Sequence, residues 1–217
     1  MSSDEKDQLF TRGDLAAGGF RFDAEVARVF ADMIGRSVPG YAETVALTGW
    51  LAGRFARRGT HLYDLGCSLG ASLFACLRAT AALEVHATGV DASAPMLERC
   101  RARLAEQDLP RAPELLEADL REVEFAPASF VVLNWTLQFL PVADRGTLLD
   151  RIHGALVPGG ALVLSEKIVE ADRDRQALLE RLHLDFKRAQ GYSELEIAAK
   201  RSALEDVLAT LLAVRPG

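Results

Sequence analysis

The sequence predicts an α/β protein: a doubly wound, mainly parallel sheet with helical additions at its N-terminal and C-terminal ends. Three observations carry this. Short apolar runs alternate with longer helical stretches between residues 61 and 165. One of those runs, "YDLGCSLG" at 63–70, breaks at once into a glycine turn. The segments before and after the alternation repeat their apolar residues at helical spacing.

Residues 1–19 read as a mobile lead-in that ends at Gly18 and Gly19, with the binding domain running from 20 to 217. Phe22, Val26, Val29, Phe30, Met33 and Ile34 recur at helical spacing, and Asp23 is placed to cap that helix. "SVPGY" stops it and leaves Tyr41 exposed. A second helix runs over 42–57. "HLYDL" is short and apolar, as a buried strand should be, and "ASLFACLRATAA" is helical. "EVHATGVD" is a strand ending at Asp91. The helix after it has Ser93 as cap and Pro95 in its first turn. "PELLEAD" is a strand ending at Asp119, and "SFVVLNWTLQFL" holds another that ends near Asn134. "DRGTLLDRIHGALVPGG" is a helix stopped by Pro158 and two glycines; "ALVLSEK" is the fifth strand. A charged helix over 170–190 closes at Gly191. A last helix runs to Val214, opened by Ser193 with Glu196 three residues on, a capping-box pattern.

Bulk properties narrow the function. A chain of 217 residues is long enough to bury a sizeable core as one domain. Its formal net charge of −6 argues against a general grip on nucleic acid, although a local basic pocket could still hold a small anion. The polar N-terminus lacks a signal-peptide core, and no apolar run is long enough to span a membrane. Cys67, Cys76 and Cys100 show no CxxC spacing and read as reduced thiols in the cytoplasm. His61, His86, His153 and His183 are scattered, so no metal site is expected.

In such sheets a ligand binds at the carboxyl ends of the strands, which here means the glycine turn. A dinucleotide turn wants G-x-G-x-x-G, but Ser68 and Ala71 replace the second and third glycines. Asp64 would repel a pyrophosphate and would attract the ammonium and sulfonium of S-adenosylmethionine. Asp91 can accept from ribose hydroxyls, which suits either cofactor class. Asp119 can accept from an adenine amino group. Three acids ending three consecutive strands favour S-adenosylmethionine, although each alone also fits a turn or cap residue. Cys67 reads as a small buried residue, and Trp135 and Phe139 as core or pocket wall.

The blocks "RSVPGY", "YDLGCSLG", "VLNWTLQFL", "PGGALVLSEK", "DFKRAQGYSELEI" and "KRSALE" resemble the carboxy-S-adenosyl-L-methionine synthase family, within the Rossmann-like methyltransferase superfamily. They run in that family's order from about residue 10 to 207. The resemblance implies a carboxyl transfer: prephenate gives up a carboxyl group to S-adenosylmethionine, and phenylpyruvate leaves. It implies a homodimer whose product serves a partner enzyme that carboxymethylates the tRNA wobble uridine, with no direct nucleic-acid contact by this chain. It further implies that Tyr41 contacts S-adenosylmethionine and that Gly66, Cys67 and Ser68 wrap its amino-acid end. Asp91 and Ala92 lie at the ribose, with Ala92 offering only backbone. Asp119 and Leu120 hold the adenine, Asn134 lies near the methionine portion, and Arg201 faces the added carboxylate as the catalytic and substrate-binding residue. No Cys-His or Ser-His pair stands out, and the implied reaction needs none. The tail "ATLLAVRPG" departs from the family, which continues with two more strands. Either the chain is truncated or frameshifted, or the sheet has only five strands with an open edge. Two rival readings remain: an ordinary small-molecule methyltransferase, and a non-catalytic protein that holds S-adenosylmethionine without turning it over.

Overall fold

The computed structural model describes residues 6–9, 21–205 and 211–212. Helices α1 (Ala24–Ser37) and α2 (Tyr41–Phe55) precede the sheet. There follow β1 (His61–Leu65), α3 (Ala71–Ala79), β2 (His86–Asp91), α4 (Ala94–Ala105), β3 (Glu114–Glu117), β4 (Ala128–Asn134), α5 (Val142–Ala155) and β5 (Leu156–Ser165). The chain continues through β6 (Ile168–Val169), α6 (Arg173–Ala189), α7 (Glu194–Glu205) and β7 (Leu211–Leu212).

The five longer strands pair in parallel in the order β3-β2-β1-β4-β5. Parallel neighbours need crossovers, and α3, α4 and α5 supply them. The winding reverses between β1 and β4, which opens a crevice beyond their carboxyl ends. Side-chain alternation explains the unbroken apolar strands. Leu62, Phe130 and Val132 face one layer with Leu73, Phe74 and Leu77. Tyr63, Leu65, Val131 and Leu133 face the other with Leu148 and Ile152.

Local chemistry sets the helix starts. Asp23 Oδ1 accepts from the backbone N–H of Glu25 and Val26, and Ser93 Oγ accepts from Met96 N–H. At α7, Glu196 Oε2 accepts from Ser193 N–H at 2.8 Å while Ser193 Oγ accepts from Glu196 N–H at 3.3 Å, a complete capping box. The apolar face of α1, with Val26, Phe30 and Met33, buries against Leu69 of the glycine turn and Met96 of α4. Ser93 Oγ also donates to Phe22 O at 2.6 Å, fastening the start of α1 beside the carboxyl end of β2.

The structure corrects the expected elements in several places. Tyr41 is the first residue of α2 and is half-buried, its ring 5.3 Å from that of Trp135, rather than exposed. Helix α5 stops at Ala155 and β5 already begins at Leu156, because Leu156 pairs with Ala128 of β4 ahead of Pro158. Strand β3 stops at Glu117, leaving Asp119 in the following turn. The last helix ends at Glu205, and Leu211–Leu212 form a strand paired with β6, where a continuous helix to Val214 was expected. Residues 206–210 and 213–217 lie outside the described residues, as does most of the expected lead-in. Within that lead-in Asp7 is buried: Oδ2 accepts from Lys200 Nζ at 2.6 Å and from Tyr192 Oη at 2.9 Å. Among the described residues no helix is long and apolar enough to cross a membrane.

Candidate active site

The glycine turn is a sequence of left-handed backbone states: Gly66 at φ 78°, Ser68 at φ 49° and Gly70 at φ 83°. Gly66 and Cys67 N–H both donate to Val90 O, at 2.8 and 2.9 Å, tying the turn to β2. Any side chain at Gly66 would place its Cβ 2.2 Å from Thr136 Oγ1, so only glycine lets the turn pack this closely against the loop after β4.

Asp91 fixes the second edge of the crevice. One carboxylate oxygen accepts from Ser68 N–H at 2.8 Å and the other from Ser93 N–H at 2.9 Å. Each retains acceptor capacity for an incoming hydroxyl. Burial pushes the Asp91 carboxyl above its ordinary range, against the pull of those two bonds.

Asp64, at the end of β1, is 2% exposed. Its Oδ2 has no hydrogen-bond partner among the described residues. Burial, reinforced by the charge of Asp91 and opposed by a backbone hydrogen bond from Leu73, pushes its pKa up to about 7. A buried carboxylate with a bare oxygen is a strong acceptor waiting for a cation or donor. Tyr41 lies near enough for the Asp64 charge to act on it. Burial, with that charge, pushes its hydroxyl up to about 12, so it stays a phenol.

Asn134, at the end of β4, donates through Nδ2 to Thr48 Oγ1 at 3.2 Å and to Ser72 Oγ at 3.1 Å. Its buried Oδ1 has no partner among the described residues. The next residue, Trp135, sits at φ 54°, unusual for a large side chain, and is held by its N–H on Ser165 O at 2.6 Å and its O on Gln138 Nε2 at 2.9 Å. That backbone places the indole against Tyr41. Thr136 then covers Gly66, and Leu137 N–H donates to Glu166 Oε1 at 2.5 Å.

Tyr41, Asp64, Gly66, Ser68, Asp91 and Asn134 are thus brought together around the ends of β1, β2 and β4. Cys67 is 4% exposed, and its shared hydrogen bond with Cys100, together with burial, raises its thiol well above the ordinary value. It serves as packing under the turn. Ala92 is exposed beside Asp91, and Leu120 is buried. Asp119 is less available than its position suggested: Arg121 grips its carboxylate through Nε and Nη2, the latter at 2.6 Å, and lowers its pKa. Arg201 is exposed on α7 and makes no hydrogen bond or ion pair among the described residues, whereas its neighbour Lys200 points inward. Thr48, Ser72, Thr136 and Glu166 were missed from sequence. The two hydroxyls on helices that flank a strand-end amide carry no local signature, and Glu166 gains meaning only from the loop it reaches.

Comparison with known proteins agrees with this geometry. The family model for a methyltransferase domain matches residues 62–160, the span of the sheet from β1 into β5. The carboxy-S-adenosyl-L-methionine synthase of Pseudomonas putida is 51% identical, over 95% of this chain and 85% of that one. The protein of the same name from Hahella chejuensis is 50% identical over the same shares. Among solved structures, one from Methanococcus maripaludis described as an S-adenosyl-L-methionine-dependent methyltransferase superposes with a TM-score of 0.55 at 18% identity, covering 87% of this chain and 85% of that one. The cyclopropane synthase MmaA2 from Mycobacterium tuberculosis gives 0.50 at 18%, covering 76% and 71%. Those two speak for the fold. Identity near one half over almost the whole chain speaks for more: the protein belongs to the carboxy-S-adenosyl-L-methionine synthase family.

Proposed function

We propose that this chain is a carboxy-S-adenosyl-L-methionine synthase that takes S-adenosylmethionine and prephenate and yields carboxy-S-adenosylmethionine, phenylpyruvate and water, the ring hydroxyl of prephenate leaving with the proton that the sulfonium methyl gives up. The observation that carries the reading is the identity of about half to synthases of that name across 95% of the chain. The residues fit the substrate. The bare Oδ2 of Asp64 and Oδ1 of Asn134 suit an ammonium and a sulfonium, and the backbone of the 66–68 turn lies beside them for the amino-acid end. Asp91, with Ala92 beside it, takes the ribose; Asp119 and Leu120 take the adenine; Tyr41 and Trp135 close the methionine end.

Bound S-adenosylmethionine supplies a positive sulfur that stabilises negative charge on the methyl carbon that is to be carboxylated. The protein supplies position and a dry, charged setting. Asp64 holds the cationic end and neutralises it. Asn134, braced by Thr48 and Ser72, keeps its carbonyl oxygen aimed and cannot rotate freely. The Tyr41–Trp135 pair excludes water. The thiols of Cys67 and Cys76 are raised well above their ordinary value, Cys67 by its hydrogen bond with Cys100 and by burial and Cys76 by burial, so neither competes as a nucleophile. Arg201 neutralises the new carboxylate; being exposed on α7, it does so when substrate or a second subunit brings the two together. The synthase is taken to work in the cytoplasm as a homodimer and to pass its product to a tRNA-modifying enzyme.

The deciding experiment incubates the purified protein with S-adenosylmethionine and prephenate and reads the cofactor by mass spectrometry. A gain equal to one carbon dioxide supports the reading. An unchanged cofactor mass, or demethylated cofactor in the presence of a methyl acceptor, overturns it.

A further inference from the structure

A wall that carries two lysines stands beside the segments that supply the site, and nothing in the reading above uses it. His183 and Lys187 lie four residues apart, on one face of α6. His183 Nε2 is 2.9 Å from Ser37 O, so that face rests against the end of α1, at the start of the turn that leads into Tyr41. Lys167 follows Glu166, whose carboxylate holds Leu137 in the loop that carries Trp135 and Thr136. The wall is therefore bracketed by the two segments that supply Tyr41 and Trp135.

Its charge is unbalanced. Arg36 has Asp32 at 2.6 Å and Lys200 has Asp7 at 2.6 Å. Neither Lys167 nor Lys187 makes an ion pair or a side-chain hydrogen bond among the described residues. Lys187 is half-buried. Burial lowers its pKa, and the nearby charge of Lys167 lowers it further. His183 is lowered by burial and by both lysines, so it stays neutral near pH 7 and serves as a tether to Ser37. Two ammonium groups within reach of each other's charge, one of them partly desolvated, are stabilised when an anion comes between them. This occurs in a chain whose formal net charge is −6.

We propose that Lys187 and Lys167 form the subsite for the carboxylate that the donor keeps. The donor of the proposed reaction is a dicarboxylate; one carboxyl group leaves, and the 2-oxo-acid carboxylate remains on the product. That second carboxylate is the anion the two lysines receive, and it orients the donor with its departing carboxyl group toward the sulfonium. The inference rests on the synthase reading for the identity of the ligand.

Phenylpyruvate, which carries the retained carboxylate and lacks the transferred one, is the probe. Calorimetry measures its binding to the wild type, to Lys187→Met and to Lys167→Met, the latter at an exposed loop position that cannot compromise the core. Each substitution should weaken phenylpyruvate about ten- to a hundredfold, the range of a charge-assisted hydrogen bond. KM for prephenate should rise in parallel. The dissociation constant of S-adenosylmethionine and kcat at saturating prephenate should stay within about threefold. Lys187→Arg should recover most of the affinity, since it keeps the charge. Phenylpyruvate bound equally by wild type and both Met variants overturns the subsite, as does a wild type that does not bind it at all. A wild type that binds phenylpyruvate but never carboxylates S-adenosylmethionine overturns the reaction instead, and the Met variants still decide the subsite.

Discussion

A cation that reaches the end of β1 meets a carboxyl group which, at pH 7, is only about half ionised, because burial holds Asp64 near 7. Binding a positive ligand there favours the carboxylate and so expels a proton. The sign follows: below about 7 the site must lose a proton to bind, and above it the site is already charged. Affinity for S-adenosylmethionine should therefore climb between pH 5.5 and 7, by up to tenfold per unit, and level off above. Calorimetry across that range, repeated in buffers of different ionisation heat, reads both the slope and the released proton. Asp64→Asn should bind more weakly and lose that part of the slope; a slope equal to the wild type's would take Asp64 out of the ligand's reach. At this scale much was legible in the sequence. An acid two residues before a glycine, and others ending later strands, state their positions outright. What could not be read was each acid's partner: Asp119 bound by Arg121, Asp91 bridging two turns, Asp64 left bare.

Helix α7 is held from beneath by a contact that no local pattern announces. Lys200 Nζ reaches Asp7 Oδ2 at 2.6 Å and also Tyr192 Oη, with side-chain exposures of 3% and 1% for the charged pair. Burial brings the Lys200 pKa down to about 8 even with Asp7 beside it. Removing one partner strands a buried charge, so Asp7→Ala should cost about 3–5 kcal/mol. The double variant Asp7→Ala with Lys200→Met removes both charges and should be less destabilised than Asp7→Ala alone. Urea denaturation of the wild type, Asp7→Ala, Lys200→Met and the double variant closes this cycle, and additive effects would show that the two residues do not act together. Boundaries within elements were legible where chemistry is local: the caps at Asp23, Ser93 and Ser193 fall where expected. They were not legible where pairing decides. β5 starts inside what looked like a helix end because β4 offers partners to Leu156, and Leu211–Leu212 form a strand because β6 lies alongside.

The whole molecule places its awkward charges at one end of the sheet. Asp64 and Glu166 are both pushed up to about 7, mainly by burial, from ordinary values of 3.8 and 4.5. Carboxyl groups with raised pKa bind more protons folded than unfolded. The unliganded protein therefore loses stability as pH rises from about 4 to 7. Thermal melts should place the midpoint roughly 5 °C or more lower at pH 8 than at pH 5.5, and saturating S-adenosylmethionine should narrow that gap by satisfying Asp64. A midpoint that rises over that interval would contradict the burial of both acids. The fold class was legible from strand and helix alternation, whereas the order β3-β2-β1-β4-β5 was not, since one chain direction fits several orders. The Asp7–Lys200 bond also has a meaning in time. Its partners are separated by 193 positions, so a ribosome adding on the order of 5–20 residues per second delivers the second partner some ten to forty seconds after the first. Throughout that interval the sheet core can assemble while the amino-terminal arm is held only through Asp32 and Arg36 of α1, its α7 partner still to come. The fastening of α7, and of the site wall it adjoins, waits for Lys200 to leave the ribosome.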